Sequence, residues 1–103
     1  MVGVYCIICL KTRKIYIGQS INIAKRLRDH KYLLRRNTHN NAALQKAWNR
    51  HGEDFFKFFV VEETSKRKLL ARENYWINIL KVFNPSIGYN KNKFKVEKTF
   101  NGT

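Results

Sequence analysis

The sequence predicts a small α+β domain, a three-stranded, at least partly antiparallel sheet flanked by three helices in the order ββααβα. Three observations carry this reading. Two short runs rich in β-branched and aromatic residues flank the polar tetrapeptide Lys11-Thr12-Arg13-Lys14. Two stretches with apolar residues at helical spacing follow, parted by an asparagine-rich break. After a third β-like run, the segment from Ser65 to Leu80, free of Gly and Pro, returns to helical spacing. At 103 residues the chain is one domain, with no internal repeat.

Val2 to Leu10 and Ile15 to Gln19 form a hairpin with a four-residue loop. In that register Cys9 faces Tyr16, and Tyr5, Ile7, Cys9, Tyr16 and Gly18 share one face of the sheet. Two tyrosines and a glycine there can floor a cleft. A loop one residue longer or shorter would reverse the second strand. The first helix, capped by Ser20 or Asn22, runs to about Arg36 and buries Ile23, Leu27, Leu34 and His30. Arg26 and His30, four apart, are neighbours on its surface. The second helix, about Asn41 to Arg50, turns Ala43, Leu44, Ala47 and Trp48 inward and stops at His51-Gly52. Trp48 belongs to the core rather than to a base-stacking surface. Phe55 to Glu62 is apolar on both faces and is expected at the centre of the sheet. The last helix carries Leu69, Leu70, Trp76, Ile77 and Leu80. Asn84-Pro85-Ser86 then ends the regular structure, and Ile87 to Asn90 folds back along the core. Residues 1–90 make the domain, and 91–103 read as a basic, flexible tail.

Charge and cysteine usage narrow the function. Lys and Arg number 21 against 7 Asp and Glu, a formal charge of +14, which calls for a polyanionic partner. The longest apolar stretches, Val2 to Leu10 and Phe55 to Val61, fall far short of a bilayer span, which leaves nucleic acid ahead of a membrane. The first has no basic residue before it and no small-residue cleavage site after it, so it is a strand and not a signal peptide. An intracellular, cytoplasmic protein of phage or bacterial type is expected. Cys6 and Cys9 form a C-x-x-C, but residues three apart on a strand point to opposite faces and share no metal. Two buried free thiols are expected.

Glu73 is the residue that does not fit a bland core. It falls four residues after Leu69 and four before Ile77, on the buried stripe itself. A carboxylate there must be protonated, paired with a cation or bound to a metal. In so basic a chain the last two are favoured.

Gly3-Val4-Tyr5 and, further on, Tyr16-Ile17-Gly18 resemble the pair of short motifs that names the GIY-YIG nuclease family. Arg26 and His30 follow in the first helix, Glu73 lies within Arg-Glu-Asn-Tyr-Trp-Ile, and Gly88-Tyr89-Asn90 closes the domain, all in the family's order. The resemblance covers residues 3–90 and extends most to the catalytic domains of phage-type homing endonucleases, with Val4 where the family usually has Ile. Those enzymes carry a linker and a DNA-binding region after the catalytic domain. This chain stops at Thr103, so the resemblance implies the chemistry and leaves sequence specificity open.

The resemblance implies a DNA endonuclease that hydrolyses phosphodiester bonds with one divalent cation, magnesium or in its place manganese, held by Glu73. Arg26 would bind the scissile phosphate, and Tyr5 would act as general base, with His30 or Tyr16 relaying its proton. His39 corresponds to a histidine at a helix start in homing-type members and is a candidate DNA contact. Gly18 and Asn90 support the site, Asn90 by hydrogen bonds to backbone. Lys25, Arg28, Lys31, Arg35, Arg36, Lys46 and Arg50 are expected to touch phosphates of double-stranded or branched DNA without reading sequence. One site in a monomer or weak dimer makes a nick the simplest product. The competing class is a basic DNA- or RNA-binding module without catalysis, which charge alone would satisfy.

Overall fold

Alternation along the first strand sets the layers. The computed structural model describes residues 1–91, so all of the expected tail but Lys91 lies outside the described residues. The elements are β1 (Gly3–Cys9), β2 (Ile15–Ser20), α1 (Ile23–Arg35), α2 (Ala42–His51), β3 (Phe56–Glu63) and α3 (Leu69–Leu80). Short 3₁₀ turns at Glu53–Phe55 and Lys66–Lys68 precede β3 and α3. The order ββααβα and the three-stranded sheet are those expected, and both strand pairs are antiparallel.

Tyr5, Ile7 and Cys9 of β1 point to one side, where they pack with Ile23 and Leu34 of α1, Leu44 and Trp48 of α2, Phe56 and Tyr89. Val4 and Cys6 point to the other, against Ile17, Ile77 of α3 and Val82. The sheet is thus sandwiched between the α1–α2 layer and α3. Cys6 and Cys9 are buried free thiols in separate layers, and burial pushes the Cys6 thiol up to about 12. Trp48 packs against Phe56 and, edge-on, Phe58 in the core, as its spacing predicts. No helix among the described residues is long and apolar enough to cross a membrane.

Three expectations need correction. The sheet order is β2-β1-β3, so β3 lies at an edge and β1 is central. Its apolar pattern misled because Phe59 and Val60 remain exposed, at 45% and 41%. The hairpin pairs Ile7 with Tyr16 and Tyr5 with Gly18, two residues from the predicted register. The connection takes up more chain, with Arg13 in the left-handed region at φ 67° and its N–H donating to the Cys9 carbonyl. A slip of two preserves every face, so the shared face of Tyr5, Ile7, Cys9, Tyr16 and Gly18 stands. In α2, Ala43 is exposed and Gln45 is buried instead. Asn22 caps α1, its side chain accepting from Lys25 N–H at 3.2 Å.

Two features shape the end of the sheet that holds Gly3 and Gly18. Between Val4↔Glu62 and Tyr5↔Val60, β3 carries one extra residue, a bulge. There the backbones approach so closely that a Cβ on Gly3 would strike the Glu62 carbonyl oxygen. Residues 87–90 run along the outer edge of β2, with Gly88 bridging Ile15 in parallel. Asn90 completes that edge: its Oδ1 accepts from Ile17 N–H and its Nδ2 donates to Ile17 C=O, both at 2.8 Å.

Candidate active site

Tyr5 lies at the centre of the site, and Gly18 makes room for it. The two are paired across the hairpin, and a Cβ on Gly18 would overlap Cζ and Oη of the Tyr5 ring. The phenol therefore lies flat across β2 and is 1% exposed. Its oxygen is 2.6 Å from His30 Nε2. His30, on the inner face of α1, is 2% exposed, and the Tyr5 and Tyr16 rings meet it edge-on at 5.4 and 5.6 Å. Alternation set the two tyrosines on one face, the resemblance added His30, and the structure brings the three together.

The hydrogen bonds continue inward. His30 Nδ1 is 2.8 Å from His39 Nε2, with the two rings stacked at 5.0 Å. His39 Nδ1 accepts from the Asn41 backbone N–H at 3.0 Å. Gln45 Oε1 accepts from His39 N–H, while its amide donates to the Leu34 carbonyl and to Asn49. Asn41 caps α2 through Leu44 N–H and donates from Nδ2 to the Tyr89 carbonyl. His39 is thus engaged through both ring nitrogens and its backbone N–H.

Sequence reasoning missed Asn41 and Gln45 as parts of this assembly. Asn41 showed only a helix-start signal. Gln45 stood beside the apolar stripe, and nothing in its spacing announced a buried amide.

Two charged side chains, Arg26 and Glu73, bear on the Tyr5 oxygen. The Arg26 guanidinium, one turn before His30, stands beside the Tyr5 hydroxyl and favours its ionised form. Burial, Tyr16 and Glu73 act in the other direction, and burial dominates, so the phenol is held well above its ordinary range. His30 is pushed down to about 3 by burial first, then by Arg26 and His39. His39 is lowered as well, by burial and then Arg26. Both imidazoles are neutral at physiological pH.

Glu73 comes from the opposite layer. It is one of three buried residues of α3, with Leu69 and Ile77, and is 0% exposed. Its charge acts on the Tyr5 hydroxyl, which brings α1, β1 and α3 to one locus. Among the described residues no three His, Cys, Asp or Glu side chains gather as a metal cluster. A site with a single protein carboxylate suits a hard ion that keeps its waters and takes phosphate oxygens, and does not suit zinc.

Six of the seven basic residues expected to touch phosphates, all but Lys25, line two surfaces. Arg28, Lys31, Arg35 and Arg36 line an open groove of about 440 Å³ on α1 with Asp29 and Tyr32. Lys46 and Arg50 line another of about 370 Å³, with Lys14, His51 and Tyr89. Lys14 was not anticipated there. Lys25 pairs with Asp29 at 3.0 Å, and Arg35 forks onto Glu53, so these two begin partly neutralised. Lys31 lies over the Phe58 ring at 4.8 Å and Arg36 over Tyr32 at 5.3 Å.

Comparison with known proteins agrees with this fold. The family profile for the GIY-YIG catalytic domain matches residues 1–95. The chain is 34% identical over 91 residues to the Intron-associated endonuclease 1 of Enterobacteria phage T4, covering 85% of this chain and 36% of that protein. It thus spans little more than a third of that relative. Among solved structures, the catalytic domain of the homing endonuclease I-TevI superposes with a TM-score of 0.79 at 30% identity, covering 87% of this chain and 97% of the other. A glutamate-to-alanine mutant of the same catalytic domain gives 0.80 at 28% identity, covering 93% and 98%.

Proposed function

This chain belongs to the GIY-YIG family of catalytic domains, and from that premise we propose that it is a divalent-metal-dependent DNA endonuclease in which Tyr5 is the general base. The observation that carries the reading is the Tyr5 oxygen itself, buried over Gly18 with Arg26 beside it and the charge of Glu73 reaching it. A structural tyrosine in a small sheet has no need of a cation and a buried carboxylate converging on its hydroxyl.

In this reading Glu73 holds one magnesium ion, or manganese in its place, through its carboxylate. When bound, that cation supplies charge neutralisation at the phosphate and lowers the pKa of acidic groups around it. The chain's own residues do the rest. Arg26 offers its guanidinium fork to the scissile phosphate, where negative charge develops as water adds. Tyr5, as phenolate, takes a proton from the attacking water while the new P–O bond forms and the bond to the leaving oxygen breaks. Burial makes the phenolate costly and therefore, once formed, strongly basic. Arg28, Lys31, Arg36, Lys46 and Arg50, with Lys25 and Arg35, hold the duplex through phosphates. One site cuts one strand, and a double-strand break requires a second copy or a second event.

Supercoiled plasmid tests this directly, with wild type beside Glu73→Ala and Tyr5→Phe in magnesium, manganese and EDTA. Metal-dependent nicking lost in both variants is the expected result. Nicking retained by Tyr5→Phe alone would move the base elsewhere. Plasmid retarded but uncut in every lane would replace the enzyme with a basic binding module.

A further inference from the structure

Three buried hydrogen bonds in file join a peptide group to the Tyr5 oxygen, and the first has a fixed direction. The Asn41 backbone N–H can only donate, and it donates to His39 Nδ1 at 3.0 Å. A neutral imidazole that accepts at Nδ1 carries its hydrogen on Nε2. His39 Nε2 lies 2.8 Å from His30 Nδ1, so His39 donates and His30 accepts. The same rule places the His30 hydrogen on Nε2, 2.6 Å from Tyr5 Oη.

Neutrality of both rings is what the argument needs, and their setting enforces it. They are stacked at 5.0 Å, 2% and 9% exposed, and Arg26 bears on both. A second positive charge in that stack would be desolvated and repelled from two sides.

We infer that His39 is a positioning residue which, fixed by the Asn41 amide, locks His30 as the Nε2–H tautomer, so that Tyr5 receives a hydrogen bond from the interior and cannot pass its proton inward. A peptide N–H has no lone pair to accept a proton from the file. The file can therefore steady an oxygen that bears negative charge, but it cannot drain one that bears a hydrogen. The relay through His30 that the sequence suggested is replaced by a hydrogen-bond donor, and the Tyr5 proton leaves on the cleft side. His39 gains a role that requires no contact with DNA. The bearing on catalysis rests on the reading of Tyr5 as general base, whereas the polarity of the file does not.

Long-range proton–nitrogen correlation spectra of the full chain labelled with ¹⁵N-histidine read the tautomers at neutral pH. The expected result is a protonated Nε2 and a lone-pair Nδ1 on both His30 and His39. His39→Phe should abolish the single Nε2–H signature of His30, and His39→Gln, whose amide can donate from nearly the same place, should keep it. A protonated Nδ1 on His30, a cationic His30, or a His30 spectrum unchanged in His39→Phe would each overturn the inference. Should the Phe variant fail to fold, the wild-type spectrum decides alone. The spectrum is read whether or not the protein cuts plasmid, so failure of the polarity and failure of the nuclease reading are separate results.

Discussion

Gly18 shows how much one absent atom can fix. The Tyr5 ring occupies the space a Cβ would fill at this position, with the ring carbons and the hydroxyl oxygen both in the way. Neither can give by rotating, because Oη is tied to His30 and the ring is enclosed. Gly18→Ala should therefore push the phenol off its seat, at a cost of about 1–3 kcal/mol of overpacking, and plasmid nicking should fall with it. Urea unfolding and the nicking assay measure the two effects separately. Wild-type cleavage by a stably folded Gly18→Ala protein would show that the ring does not need this seat. That Tyr5 and Gly18 share one face was legible from alternation and the hairpin, whereas their direct pairing was not, because the register differs by two. The file of His30, His39, Asn41 and Gln45 was not, since it joins the inner face of α1 to the loop before α2 through side chains whose spacing carries no period.

At the scale of elements, the edge of β2 is finished by a side chain. Asn90 gives Ile17 the acceptor and the donor that another strand would have given. Asn90→Ala leaves a buried N–H and C=O of Ile17 without those partners, and should cost about 2–4 kcal/mol. Asn90→Asp keeps the acceptor but sets a carboxylate against the Ile17 carbonyl, so it should be no better. Chemical denaturation ranks the three proteins, and an Asn90→Ala midpoint matching wild type would contradict this account. The helices were legible because their stripes, caps and stop at Gly52 agree. The place of β3 was not. A run apolar on both faces predicts a strand covered on both sides, yet β3 leaves Phe59 and Val60 exposed at the sheet's edge. What fixes its place is the bulge opposite Gly3 and the fork of Arg72, with Trp76, onto Glu62. These are long-range contacts that no local pattern announces.

The whole molecule carries +14 and yet buries two neutral histidines, which ties its stability to pH. Folded His30 is held near 3, while the unfolded side chain titrates at its ordinary 6.5. Between those values the unfolded chain binds a proton that the folded chain refuses. This stabilising preference for the neutral ring is complete above 6.5 and is lost as pH falls below it, by up to about 1.4 kcal/mol per pH unit. His39 adds in the same sense, its folded value also being lowered. Thermal unfolding between pH 6.5 and about 5.5, above the ordinary 4.5 of the paired carboxylates Glu53 and Glu62, isolates the effect. The melting temperature should fall across that window in wild type and fall less in His30→Gln. A flat wild-type profile would mean the pair is not kept neutral.

The three-layer sandwich has one further consequence, for the chain as it is made. Tyr5 and Gly18 lie in the first hairpin, Arg26 and His30 in the first helix, and Glu73 in the last helix, on the far side of the sheet. Asn90, which closes the edge of β2, comes later still. A ribosome therefore releases the parts of the site one by one, and the last arrive only when the domain is nearly complete. A nascent or truncated chain carries the tyrosine and arginine without the carboxylate. On the roles proposed for Tyr5, Arg26 and Glu73, cleavage of DNA then begins only once the helix carrying Glu73 has been made, and synthesis that fails before it leaves behind no half-active cutter.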